Sequence, residues 1–216
     1  MDPANLWAGS QQVLGEKAAV YGEPQPVPEA SLADFAEIEA RGIRVVDTPG
    51  HAAHHLAFVY GDGIFLGECA GTFSTLGQGP GNEDYYLRPA TPPRFYLETA
   101  EASLERVLAL DPLPEHLLFA HHGEFSGDTR HLLTTAKRQL RLWTKTVAEV
   151  QAGLRALPHT EQPEGEAGLM ALFRDALRQI DPHYARGTQL PTDIQERERD
   201  FSRQTLRGIM GYLKNN

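Results

Sequence analysis

Short apolar segments bounded by turn residues predict β-strands in the first part of the chain. Residues 43–47, 56–60 and 64–66 are rich in β-branched and aromatic side chains, which favour extended backbone. The tight turn Gly61-Asp62-Gly63 separates the last two segments and predicts a hairpin. Residues 116–120 form a further short apolar run, which predicts a buried strand.

Apolar residues that recur every three or four positions predict helices around and after these strands. Residues 31–34 resemble a capping box that begins a helix reaching about residue 40, and residues 97–110 predict another helix. Two more helices are predicted near 165–180 and 193–214. One long amphipathic helix is predicted from about residue 128, and its apolar stripe comprises Leu132, Leu133, Ala136, Leu140, Trp143, Val147, Val150 and Leu154.

Two segments without a clear period are predicted to lie outside the core. Residues 70–93 hold many Gly and Pro residues and predict a long ordered loop. Tyr85, Tyr86 and Arg88 in this loop either shape a substrate pocket or only order the loop, and the second interpretation is favoured. The Arg and Glu run at 196–200 predicts a solvated helix face.

Composition narrows the class of protein. The 216 residues carry 29 acidic and 20 basic side chains, a net charge of −9, and 41% of them are hydrophobic. These values predict a soluble globular protein of one domain or one and a half. No apolar run approaches a membrane span, no export signal is visible, and Cys69 has no disulfide partner, so we expect a cytoplasmic protein. The acidic balance argues against a nucleic-acid partner.

Histidine and glutamate residues that could bind a metal ion follow the ends of the predicted strands. His51, His54 and His55 follow the first strand, Glu68 follows the third, and His121 and His122 follow the strand at 116–120. Strand ends of α/β sheets gather binding groups, and imidazole with carboxylate suits zinc, iron or manganese. On spacing alone, surface or hydrogen-bonded core histidines are the alternative, because no segment has a closed motif such as His-Glu-x-x-His.

Three segments together resemble the second half of the metallo-β-lactamase superfamily: Gly42-Ile-Arg-Val-Val-Asp-Thr-Pro-Gly-His-Ala-Ala-His-His-Leu-Ala-Phe58, Ile64-Phe-Leu-Gly-Glu-Cys-Ala-Gly71 and Leu118-Phe-Ala-His-His-Gly123. The resemblance implies metal-dependent hydrolysis, with His51 on one metal, His121 on the other and Glu68 as the bridging carboxylate. His122 is the alternative to His121. Zinc is the implied cofactor, with iron or manganese as alternatives.

The chain departs from the family pattern in its ligands. The motif His-x-His-x-Asp-His, which supplies most ligands of the first half, occurs nowhere, and the first histidine is His51. A complete two-metal site therefore cannot form from this sequence. Glu68 replaces the usual Asp and reaches one methylene further, and Asp47 stands where relatives often carry His. His54 and His55 are candidates for orienting the ligands or for lining the structural seam after the turn. Cys69 is expected to be a buried, inert thiol.

The resemblance also implies an architecture. We expect an α/β fold, half of a metallo-β-lactamase-like αββα sandwich in residues 1–125, followed by a helical C-terminal extension in residues 126–216. A half-sandwich leaves a sheet face and a strand edge uncovered, so a homodimer or higher oligomer is expected. Two functions remain: a truncated metal-dependent hydrolase acting on a small-molecule substrate, or a non-catalytic metal-binding or assembly protein that retains the fold.

Overall fold

A computed structural model describes residues 2–76, 84–121, 123–158, 160 and 162–216. The chain divides into two compact units, Met1–Arg41 and Gly42–Asn216. The first unit is helical and comprises α1 (Ala4–Leu14), α2 (Glu16–Tyr21), a 3-10 turn at Glu29–Ser31 and α3 (Phe35–Glu39).

The helix predicted from residue 31 begins later than expected. Asp34 is its N-cap: the Glu37 backbone N–H donates to Asp34 Oδ1 over 2.8 Å, and the Asp34 N–H donates to Glu37 Oε2 over 3.3 Å. The capping box therefore lies at Asp34 and Glu37 rather than at Ser31 and Asp34, so the predicted start was wrong by one turn.

The second unit contains seven strands and five helices among the described residues, in the order five strands, one helix, two strands and four helices. The strands are β1 (Ile43–Asp47), β2 (Leu56–Tyr60), β3 (Gly63–Gly67), β4 (Thr72–Thr75), β5 (Tyr85–Arg88), β6 (His116–Phe119) and β7 (Gly123–Phe125). The helices are α4 (Leu97–Leu108), α5 (Thr129–Arg155), α6 (Gly165–Ile180), α7 (Pro182–Ala185) and α8 (Thr192–Asn215), with a 3-10 turn at Arg186–Gln189.

The main sheet has the strand order β1-β2-β3-β6-β7. β3 and β6 are parallel neighbours, and the other pairs are antiparallel. The parallel pairing places the carboxyl ends of β3 and β6 side by side at one edge of the sheet. The strands predicted at 43–47 and 56–60 have these bounds in the structure, because each is rich in β-branched, aromatic or aliphatic residues and ends before turn residues.

The loop predicted over 70–93 contains a second, two-stranded sheet, so that prediction was wrong at β4 and β5. Tyr85, Tyr86 and Arg88 lie on β5, where all four residues are buried. A strand buried on both faces has no polar alternation, and the surrounding Gly and Pro residues obscured the signal. Residues 77–83, between the two strands, lie outside the described residues.

The two faces of the main sheet differ in burial. Val46, Ala57 and Ile64 belong to the buried core, which also contains residues of α4 and α5. The opposite face carries a cross-strand apolar row in register, Val45, Phe58, Phe65 and Leu118. Phe65 in this row remains 49% exposed. The homodimer that would cover such a face stays a prediction.

The helical C-terminal region packs on the same core. The apolar stripe predicted on α5 is buried from Leu132 to Val147, and Trp143 is fully enclosed. The predicted boundary at residue 126 marks the change from strands to helices, and its status as a domain boundary stays a prediction. Among the described residues, no helix is both long enough and apolar enough to cross a membrane.

Candidate metal centre

His51 lies in the turn that follows β1, and α4 fixes this turn from the side. The Ser103 hydroxyl donates to the Pro49 carbonyl over 2.5 Å, and Arg106 Nε donates to the Asp47 carbonyl over 2.8 Å. The His51 ring has Nδ1 at 3.0 Å from the carbonyl oxygen of Ala90. A carbonyl only accepts, so Nδ1 carries the proton and Nε2 faces the site.

Glu68 follows β3 in a turn whose geometry requires glycine. Gly67 has φ +55°, and a Cβ at this position would lie 2.4 Å from Nε2 of His55. The Glu68 backbone N–H donates to this Nε2 over 3.3 Å, and His55 Nδ1 lies 2.8 Å from Thr48 Oγ1. Because Nε2 accepts, His55 is neutral with its proton on Nδ1, and it positions the Glu68 backbone.

The three predicted ligands converge. His51 Nε2 lies 2.9 Å from Glu68 Oε2, and His121 Nε2 lies 3.7 Å from Glu68 Oε1. The backbone N–H of Ala120 donates to the Gly67 carbonyl over 3.1 Å, which brings the residue after β6 beside the residue after β3. Each oxygen of Glu68 therefore faces a different imidazole, which is the arrangement expected of a carboxylate that bridges two cations.

Burial and the ion pair act in opposite directions on the pKa values of this group. Burial alone would lower the pKa of His51, but the hydrogen bond and the charge of Glu68 outweigh it and raise that pKa. Burial alone would raise the pKa of Glu68, but the hydrogen bond and charge of His51 lower it. The pKa of His55 is lowered by burial and then by His51. Each member of the His51–Glu68 pair thus stabilises the charged form of the other.

The donor set fits divalent cations in chemistry, and its spacing fits a carboxylate shared by two cations rather than three ligands around one ion. Two nitrogen donors and one carboxylate are ligands that zinc accepts. Two ligands about 2.1 Å from one tetrahedral zinc ion lie about 3.4 Å from each other. The separations of 2.9 and 3.7 Å lie on either side of this value, but each joins one imidazole to a different oxygen of Glu68. The donor atoms of the three described residues do not all lie within 4.8 Å of one another. The Nδ1 hydrogen bond of His51 is the kind of outer contact that orients a metal-binding imidazole.

Two small cavities flank Glu68. The first, about 20 Å³, is lined by His51, Glu68 and residues of the turn at 48–50, and the second is about 30 Å³. Each is large enough for about one or two water molecules. The second cavity is lined by Thr72, His121, Arg88 and the α8 residues Arg197, Glu198 and Phe201, besides Glu68. The Thr72 hydroxyl is buried and makes no hydrogen bond within the described part of the chain.

Helix α8 forms the wall of this cavity, which sequence reasoning missed. Glu198 is buried and its Oε2 lies 2.5 Å from Nε of Arg88, so the predicted solvated face at 196–200 was wrong at this residue. The signal that could have revealed it is helical periodicity, because Glu198 falls on the buried stripe that continues through Ser202, Thr205, Leu206 and Ile209.

The remaining candidate residues from the sequence differ in burial and in whether they line a cavity beside Glu68. His54 is exposed, on the solvent side of the turn that carries His51. Burial raises the pKa of the Cys69 thiol to about 12, which agrees with the predicted inert thiol. Tyr85 and Tyr86 belong to the core, and Arg88 lines the second cavity. His122, the alternative to His121, lies outside the described residues.

Gly67→Ala is expected to disrupt the position of Glu68. The added methyl group meets His55 Nε2, and alanine disfavours the positive φ at this turn. We expect zinc affinity at the His51 site to fall at least about 10-fold, as for loss of other orienting contacts. Isothermal titration with zinc measures this, with Gly42→Ala as the control: it also has a positive φ, at +80°, but no atom within 4 Å of an added Cβ. Equal effects of the two substitutions would contradict the role assigned to the His55 contact.

Comparison with known proteins gives partial matches. No family model matches the chain. It is 28% identical over 120 residues to a metallo-β-lactamase fold-containing protein of Sulfurisphaera tokodaii, covering 53% of this chain and 42% of that protein. The crystal structure of a metallo-β-lactamase family protein from Thermus thermophilus is similar over 99% of this chain and 60% of its own, at 17% identity and a TM-score of 0.52.

A third likeness is to the crystal structure of an archaeal metallo-β-lactamase superfamily protein from Sulfolobus tokodaii. It covers 63% of this chain and 50% of that chain, at 24% identity and a TM-score of 0.47. The present chain thus spans 42% to 60% of the length of these proteins. The α/β fold with a C-terminal helical region predicted from the sequence is confirmed by the likeness that covers almost the whole chain.

Proposed function

From the premise that this chain is a metallo-β-lactamase-fold protein, we propose that His51, Glu68 and His121 form the metal site of a metal-dependent hydrolase. The observation that carries the proposal is the position of the Glu68 carboxylate, whose two oxygens face two different imidazoles at 2.9 and 3.7 Å. Zinc is the cation that this mixed nitrogen and oxygen donor set suits best, with iron or manganese as alternatives.

The residues of the chain prepare the site before any cation arrives. The Ala90 carbonyl holds one proton of His51 at Nδ1, so release of the second proton, which Nε2 shares with Glu68, frees the Nε2 lone pair for a cation. Neutral His55 receives the Glu68 backbone N–H and thereby orients the carboxylate. A zinc ion held by these residues would lower the pKa of a bound water molecule to about 7 and would polarise a carbonyl or phosphoryl oxygen.

The buried Thr72 hydroxyl gives the second cavity a polar group beside Glu68. This hydroxyl can donate to a water molecule or to a substrate oxygen at that position. We infer that a small-molecule substrate, an ester, thioester, lactone, β-lactam or phosphodiester, approaches from the side of His121, whose side chain is 51% exposed and therefore reachable from solvent.

A second candidate function is non-catalytic metal binding or assembly. The observation that favours it is the absence of His-x-His-x-Asp-His from the sequence, which leaves one histidine for each cation that Glu68 would bridge. Such a site binds a cation but lacks the ligands that hold a reactive water in place. The cytoplasmic location and a homo-oligomeric state belong to both candidates as proposals.

Zinc binding tests the shared part of both candidates. We expect the full chain, dialysed against zinc chloride, to retain zinc that His51→Ala removes, because the substitution deletes one of the three donors. The matched control is His54→Ala, which removes an exposed imidazole from the same turn and should leave the zinc content unchanged. Elemental analysis after dialysis measures the content, and equal zinc in the His51→Ala and His54→Ala variants would refute the site.

Hydrolysis of small probes then separates the two candidates. Zinc-dependent turnover of ester, thioester or phosphodiester probes that is lost in His51→Ala and kept in His54→Ala favours the hydrolase. Zinc retained at His51 with no turnover of any probe favours the non-catalytic candidate.

A further inference from the structure

We infer that Asp62, Glu115 and His116 form a second binding site for a first-row divalent cation such as zinc, with Glu124 as a positioning residue. Among the residues that the structure describes, these three are the one group of three possible ligand side chains whose donor atoms all lie within 4.8 Å of one another. The donor set combines one imidazole with two carboxylates, a combination that zinc and its neighbours accept.

The His116 ring is held in the orientation that a metal ligand needs. Its Nδ1 lies 2.6 Å from Oε1 of Glu124, and its Nε2 lies 3.7 Å from Oδ2 of Asp62. A carboxylate beside Nδ1 favours a proton on that nitrogen, which leaves the Nε2 lone pair directed towards Asp62. A carboxylate that orients an imidazole in this way is the usual outer contact of a histidine metal ligand.

Backbone hydrogen bonds hold the other two ligands in place. Asp62 lies in the two-residue turn between β2 and β3, and its carbonyl accepts the N–H of Glu115 over 2.8 Å and that of His116 over 3.2 Å. Gly63 and His116 are register partners of the parallel pair β3 and β6, so Asp62 and Glu115 are the preceding neighbours on each strand. The carboxylates therefore start from fixed backbone positions, which reduces the entropy that binding costs.

Solvent access and local charge bear on the affinity of this site. Asp62 has a side chain that is 73% exposed, and Glu115 is also exposed, so a cation reaches them without opening the core. Arg44 lines the adjoining cavity of about 170 Å³ together with Asp62 and Glu115, which places a basic residue on the border of the site. A bound cation would link the β2–β3 turn to the start of β6 and would therefore stabilise the sheet.

The second site is independent of the His51 site. Asp62 precedes β3 and Glu68 follows it, and His116 begins β6 while His121 follows it. Asp62 and Glu68 are six residue steps apart along β3, which corresponds to about 20 Å of extended chain. The two groups thus lie at opposite ends of the same pair of strands, and their cations can be removed separately.

Zinc competition titration with a chromophoric chelator, combined with elemental analysis of the dialysed full chain, tests the inference. We expect His116→Ala to lose a zinc equivalent that His51→Ala keeps. The conservative variant Glu124→Gln retains all three ligands and should weaken this equivalent by about 10- to 100-fold. Exposed His131 on α5 provides the matched control, because His131→Ala removes an imidazole without touching the site.

Each result decides one site. Zinc content and affinity that are the same in His116→Ala as in His131→Ala would overturn the second site and leave the proposed function intact. Zinc lost in His116→Ala but unaffected by His51→Ala would support the second site and refute the first. A Glu124→Gln variant that binds zinc as tightly as the parent would overturn the positioning role of Glu124.

Discussion

Glu198→Ala is expected to lower the free energy of unfolding by about 3–5 kcal/mol, because it leaves the buried Arg88 guanidinium without its carboxylate. Arg88 is 2% exposed, and Glu198 is 6% exposed. The Tyr86 hydroxyl also donates to Glu198 Oε2 over 3.1 Å, so the substitution leaves a second buried donor without its acceptor. The Arg88–Glu198 ion pair joins β5 to α8 and lines the second cavity beside Glu68. Its loss should therefore also make this side of the cavity less rigid.

Urea unfolding followed by circular dichroism measures this effect, and two variants define its origin. Glu196→Ala removes an exposed carboxylate from the same helix and should change stability by less than about 0.5 kcal/mol. The double variant Arg88→Met/Glu198→Gln removes both charges and keeps an acceptor for Tyr86, so it should recover at least about half of the loss. A Glu198→Ala variant as stable as Glu196→Ala would contradict the assignment of a buried ion pair.

The strands that the sequence predicted well are short apolar runs bounded by turn residues. In β1 and β2 the side-chain composition and the turn residues that follow were sufficient to find the ends of the strands. In β5 all four residues are buried, and burial on both sides removes the alternation. The missed strands thus follow from tertiary packing, which the local sequence does not encode.

The same distinction applies to the candidate site. The convergence of Glu68 and His121 could be predicted because both follow strands, and parallel neighbours bring such residues to one edge of the sheet. The buried state of Glu198 could not be read from the charged run at 196–200, because it depends on Arg88, which lies 110 residues earlier. The ion pair with the distant Arg88 allows Glu198 to be buried, whereas the charged residues around Glu198 in the sequence favour an exposed position.

Asp181→Ala is expected to cost about 4 kcal/mol of stability, because this buried carboxylate accepts hydrogen bonds from two separate parts of the chain, α5 and α7. Its Oδ2 accepts Trp143 Nε1 and Gln139 Nε2, each over 2.8 Å. Its Oδ1 accepts the backbone N–H groups of His183 and Tyr184, each over 3.1 Å, and so caps α7. Asp181 is 1% exposed, so water cannot replace these contacts without opening the core.

The donors are not equally affected by the loss of Asp181. Gln139 Nε2 also donates to the Leu87 carbonyl over 2.8 Å and keeps that partner, whereas the Trp143 indole N–H and the two capping N–H groups lose theirs. Asp181→Asn retains one carbonyl oxygen and should therefore cost less, about 2 kcal/mol. Urea unfolding with tryptophan fluorescence measures both, and Asp175→Ala, on an exposed position of α6, is the control expected to lose less than about 0.5 kcal/mol. If Asp181→Ala unfolds at the same urea concentration as Asp175→Ala, Asp181 does not organise the junction of α5, α6 and α7, and the packing of the helical region must depend on its apolar stripes alone.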